Sequence, residues 1–135
     1  MKVYDPDQAI DPLEWNRLDD DERQYLVERY HRKKRIKMPN LHVHAAIHVV
    51  VENQVARGTE IPTQKTRARL MQEGLSRHDA IHAIGSVLAG CMFDLIKHGA
   101  KDQDVNADYF RRLEELTAGS WLESANEELE EEDRE

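Results

Sequence analysis

Apolar residues recur three and four positions apart through most of this chain, the period of helices that bury one face. Leu26, Val27 and Tyr30 supply such a stripe to a helix expected over about 20–34, which Asp19-x-x-Glu22 opens as a capping box. Pro39-Asn40 ends that element and caps the next, read over about 41–56 and stopped by Gly58. Its Val49-Val50-Val51 run would suit a strand, but the helical period on either side and the Ala45-Ala46 pair decide for helix. Thr63 is expected to cap a third helix through Glu73, with Leu70 and Met71 inward and Gly74 closing it. Ser76-x-x-Asp79 is another capping box. It opens the most apolar helix, Arg77 to His98, which ends at Gly99 and is expected to be central. After a polar loop over 101–105, Asn106 is expected to cap a last helix that turns Tyr109, Phe110, Leu113 and Leu116 inward, with Trp121 and Leu122 docking its end. Met1 to Asp11 reads as irregular and polar, followed by a helical turn from Glu14 to Leu18 anchored by Trp15. The pattern predicts an all-α, compact single-domain bundle of about five helices over 1–122, and a disordered acidic tail over 123–135.

Composition changes this picture only locally. The chain has 135 residues and a net charge of -8, enough length for one hydrophobic core. From Glu123 to Glu135 there are eight acidic residues against one arginine, so the acidity belongs to the tail and the body is near neutral. The basic run from His31 to Lys37 reads as a solvated helix end, where cations suit the macrodipole. Its functional reading is a contact for phosphate or an acidic surface. No aromatic residues interleave it as a single-strand binder would require, so there is no strong nucleic-acid signal. Cys91 is the single cysteine and reads as an inert thiol in an apolar helix. No amino-terminal signal or membrane-length span stands out, so the expectation is a soluble cytoplasmic protein without a membrane partner.

The candidate chemistry lies in two echoing words, His44-Ala45-Ala46-Ile47-His48 followed by Glu52, and His78-Asp79-Ala80-Ile81-His82. Histidines four apart on a helix sit about 40° apart on one face, one turn above each other, and can chelate one ion. Two such helices facing each other present four nitrogen donors to one pocket, and neutral imidazole is a common transition-metal ligand. On the second helix Gly85, Ala89, Phe93 and Ile96 share the histidine face. His42 points away from the first pair and is expected to be solvated. Glu28 and His31 add an E-x-x-H pair on the preceding helix. The predicted metal site therefore has His44, His48, His78 and His82 as ligands, with His31, Glu52 and Glu28 as further ligands or as groups that hold them. Zinc or iron is the expected divalent ion. Nitrogen outweighs carboxylate here, unlike the carboxylate-bridged di-iron sites of ferritin-like bundles.

Two other readings use the same residues. A buried histidine–carboxylate hydrogen-bond network would make the chain a non-enzymatic interaction module. Its basic segment and acidic tail would then face a protein partner or a further copy of the chain. His78-Asp79 also has the form used by HD-type metal-dependent phosphohydrolases, which need a later aspartate in the pocket. Asp94 is the natural choice, but it falls about 160° around the helix from His78.

Taken together, Asp11-Pro12-x-Glu14-Trp15, Tyr30-His31-Arg32, the first histidine word with Glu52-Asn53-Gln54, and Gly74-Leu75-x-Arg77 running on through His78 to Ala89 resemble the bacterial domain-of-unknown-function family 1841. The resemblance extends to about Trp121. It implies a short helical protein and the register of these motifs, and attaches no reaction to them.

Overall fold

A computed structural model describes residues 1–36, 38–99 and 104–124. Asp11 opens α1 (Pro12–Arg17) by accepting from the Leu13 amide, with Pro12 at the first helical position, where a missing N–H costs nothing. The predicted capping box is present at α2 (Asp20–Lys33), Asp19 and Glu22 each holding the other's backbone amide. Asn40 caps α3 (Leu41–Ala56) through the Val43 amide. A single 3-10 turn (Gly58–Glu60) leads to α4 (Thr63–Gln72). Ser76 caps α5 (Arg77–His98) through the Asp79 amide, and Gly99 ends it at a φ of 72°, a conformation that favours glycine. α6 spans Val105–Glu115, and residues 118–124 are helical as well, here called α7. All elements among the described residues are helical. The all-α expectation holds, with more helices than the five expected because α1 and α7 are separate elements.

α3 is the shared wall of the molecule. It packs on α2 and α1 on one side and on α5 and α4 on the other. Ala45 and Val49 join Tyr4, Trp15, Leu26 and Val27 in one apolar cluster. Val51 joins Leu70, Ile81, Ile84, Tyr109 and Leu113 in a second. His48 and Glu52 lie between the two clusters, buried to 2% exposure each. α5 packs against α3, α4 and α6. Gly85 makes the α3 contact possible, because a Cβ there would meet Ile47 Cγ2 at 3.1 Å.

Several sequence expectations need correction. Residues 1–11 are irregular as expected but not polar throughout: Tyr4 and Pro6 are buried, and Asp7 accepts from the His78 amide on α5. Thr63 does not cap α4. Pro62 holds that position, and the Thr63 hydroxyl donates to Gln54 on α3 instead. Asp104, not Asn106, caps α6, because its side chain reaches two free amides. On α5 the apolar stripe continues past the core, leaving Phe93 and Ile96 62% and 83% exposed to the described residues. α5 is also long and apolar enough to cross a membrane by length and composition, a property core helices share. Within the basic segment Arg32, Lys33, Lys34 and Arg35 are exposed. Lys37 and most of the acidic tail, 125–135, fall outside the described residues, as does most of the loop over 101–105.

Candidate metal centre

Three helices deliver five imidazoles to one place. α3 brings His44 and His48, α5 brings His78 and His82, and the last turn of α2 brings His31. The two predicted pairs meet face to face, with ring centroids 5.0 Å apart for His44 and His82 and 4.8 Å for His48 and His82. His31 closes the group at 4.8 Å from His44 and 5.1 Å from His48. One ring nitrogen from each of His31, His48, His78 and His82 lies within 4.8 Å of the others. Ligands about 2.1 Å from an ion stand about 3–4 Å apart, so shifts of about 1 Å or less would gather the four around one ion.

The hydrogen bonds decide which nitrogens face inward. His31 Nδ1 donates to the Val27 carbonyl at 2.8 Å, leaving Nε2 with its lone pair bare. Tyr4 fixes His48 by proton bookkeeping. Its hydroxyl donates to Glu52 Oε2 at 2.6 Å. Glu52 accepts a two-pronged contact from the Arg77 guanidinium, at 2.9 and 2.8 Å. The Tyr4 proton is thus committed to the carboxylate. The 3.1 Å contact to His48 Nδ1 must then be donated by the imidazole, which again leaves Nε2 bare. Burial, the nearby Glu52 carboxylate and its hydrogen bond push the Tyr4 hydroxyl well above its ordinary pKa. Arg77 also donates to the Pro6 carbonyl, tying the first residues of the chain to this network.

Among the described residues, three buried Nε2 atoms, on His31, His44 and His48, have no hydrogen-bond partner. Each such atom costs about 1–3 kcal/mol if left unsatisfied. The remaining pair, His78 and His82, point Nε2 at Nε2 across 3.1 Å, close to the spacing of neighbouring ligands on one ion. Burial and the mutual repulsion of imidazolium charges hold His44 down to about 4 and His82 down to about 3, and lower His48 and His78 as well. These rings are neutral near pH 7, the state that binds metal.

The two carboxylates proposed from the sequence are placed differently. Glu52 stands behind His48, acting through Tyr4 and saturated by Arg77. Glu28 accepts from Arg32 and Gln24 and lies 3.6 Å from the exposed His42, on the outer side of α2. The aspartate that an HD-type pocket would need is also elsewhere, since Asp94 pairs with Arg112 on α6 at 2.8 Å. Sequence reasoning missed Tyr4 and Arg77. One signal pointed to a cation: a glutamate in the middle of an apolar helix requires a partner.

His44, His48 and His82 also line a cavity of about 470 Å³ between α3, α5 and α7. Ile47, Ile81, Val87 and Trp121 form much of its wall. No family profile, curated protein or solved structure matches the chain.

Proposed function

We propose that this protein binds a divalent metal ion, zinc or iron, through a nitrogen-rich site in the helical bundle. His31, His48, His78 and His82 are the ligands, and His44 is the fifth imidazole on the cavity side. One observation carries the reading: buried Nε2 atoms of His31 and His48 have no partner among the described residues, while the opposite nitrogen of each ring is already hydrogen-bonded. A purely structural network would satisfy both sides of a buried ring. The outer bonds from Val27 and from the Tyr4–Glu52–Arg77 chain match the way ligating histidines are oriented in metalloproteins, by a carbonyl or carboxylate behind the ring. A coordination position left open toward the cavity would hold water at lowered pKa, which would allow hydrolytic chemistry.

Elemental analysis of untagged protein and thermal melts with and without chelator test this. Metal should be retained and should raise the melting temperature, since it binds the folded pocket better than the unfolded chain. The His48→Ala/His82→Ala double variant should lose both the ion and the chelator-sensitive part of the melt. His42→Ala should lose neither. An unchanged wild-type melt after verified stripping, with no metal in the purified protein, would favour the buried hydrogen-bond network and an interaction module instead.

A further inference from the structure

We infer that the cavity beside the histidines binds a small monocarboxylate with an apolar tail, its carboxylate on the metal and its hydrocarbon in the cavity. The inference rests on the metal reading above and extends it to a ligand class. Its head group follows from charge. Four neutral imidazole ligands leave a divalent ion with its full charge in a partly buried place, where unpaired charge is costly. The buried carboxylate of the site, Glu52, is already matched by Arg77 at 2.8 Å. Among the described residues, no Asp, Glu, Lys or Arg lines the cavity. An anion that enters past these residues would therefore meet the ion as its counter-charge.

The tail follows from the walls. Ile47, Ile81, Val87, Ala89, Leu116 and Trp121 are among the lining residues. Ser86, Ser120 and Ser124 also border the cavity, but each already donates its hydroxyl proton to a backbone carbonyl one turn earlier or within its own turn. Their hydroxyl protons are already engaged, and against the apolar walls an alkyl or aromatic tail gains from every carbon buried. His44, His48 and His82 are part of the same wall, so head and tail share one space.

The test uses full-length protein loaded with Co(II), whose visible absorption reports the ligands on the ion. Acetate, butyrate, hexanoate and hexan-1-ol are titrated against it. Acetate and hexanoate should both shift the band. Affinity should rise by up to about fourfold per methylene, and at least tenfold from acetate to hexanoate. Ala89→Leu, which fills the cavity away from the histidines, should weaken hexanoate at least tenfold and leave Co(II) uptake and acetate binding unchanged. If that variant loses its helical circular dichroism, the chain-length series on wild type decides alone. Equal binding of acetate and hexanoate, no band shift with any carboxylate, hexan-1-ol binding as tightly as hexanoate, or equal hexanoate binding to metal-free protein would each overturn the inference while leaving the metal site standing. Failure of the wild type to take up Co(II) would remove the metal reading and this inference with it, before any carboxylate is added.

Discussion

At the scale of single residues, the hydroxyl of Tyr4 does something no apolar side chain of the same shape could do. By giving its proton to Glu52 and accepting from His48 Nδ1, it selects the tautomer that turns Nε2 inward. Tyr4→Phe keeps the ring and its packing but frees His48 to adopt either tautomer. Metal affinity should fall about 10–100-fold, with a stability loss of only about 1 kcal/mol; competition against a chelator of known affinity and urea unfolding measure the two. Arg77 is a different case. It and Glu52 have side chains 5% and 1% exposed, so Arg77→Met strands a buried carboxylate and should cost about 3–5 kcal/mol. Adding Glu52→Gln should recover part of that loss, because the stranded charge is removed with its partner. Equal unfolding midpoints for the single and double variants would contradict this account.

At the scale of elements, α3 and α5 hold the site because they approach closely, and they do so at Gly85. The 3.1 Å that a Cβ would keep from Ile47 Cγ2 is tight enough that one side chain must give. Gly85→Val should therefore destabilise by about 1–3 kcal/mol through overpacking, and Ile47→Ala in the same chain should offset part of it; paired urea titrations check both. These two helices were also the most legible part of the sequence. Asn40 and Ser76 cap their starts with side chains, and Gly99 ends α5 through its backbone freedom, local chemistry that does not depend on the rest of the fold, and histidines four apart share a face in any helix. His31 was legible as a member but not in its role. The sequence paired it with Glu28, whereas the carboxylate leans outward to Arg32 and the ring turns to the Val27 carbonyl and the other histidines. Tyr4 was not legible at all, and of Arg77 only the need of a mid-helix glutamate for some cation was. Tyr4 lies in a segment without a period to read, and Arg77 lies 25 residues from the glutamate it neutralises; only the tertiary fold brings them together.

At the scale of the whole molecule, the imidazole cluster ties stability to pH. In the unfolded chain each histidine takes up a proton near its ordinary value of about 6.5. In the folded protein His44 does so only near 4 and His82 near 3, and His48 is lowered too. The unfolded state therefore binds more protons below pH 6.5. Stability contributed by the neutral rings is whole above that pH and is lost progressively on acidification, by about 1 kcal/mol per ring at pH 5.5. Urea unfolding of metal-free protein between pH 7.5 and 5 should show this decline, and His44→Gln should reduce it. A profile flat across that range would mean the rings are solvated. The fold also imposes an order on synthesis. Pro6 and Asp7 are held by residues 71 positions further along. On the ribosome they are made before Arg77 and His78 and must wait for those residues to emerge before that anchorage exists. Until then the growing chain carries His31, His44 and His48 without the helix that completes their pocket.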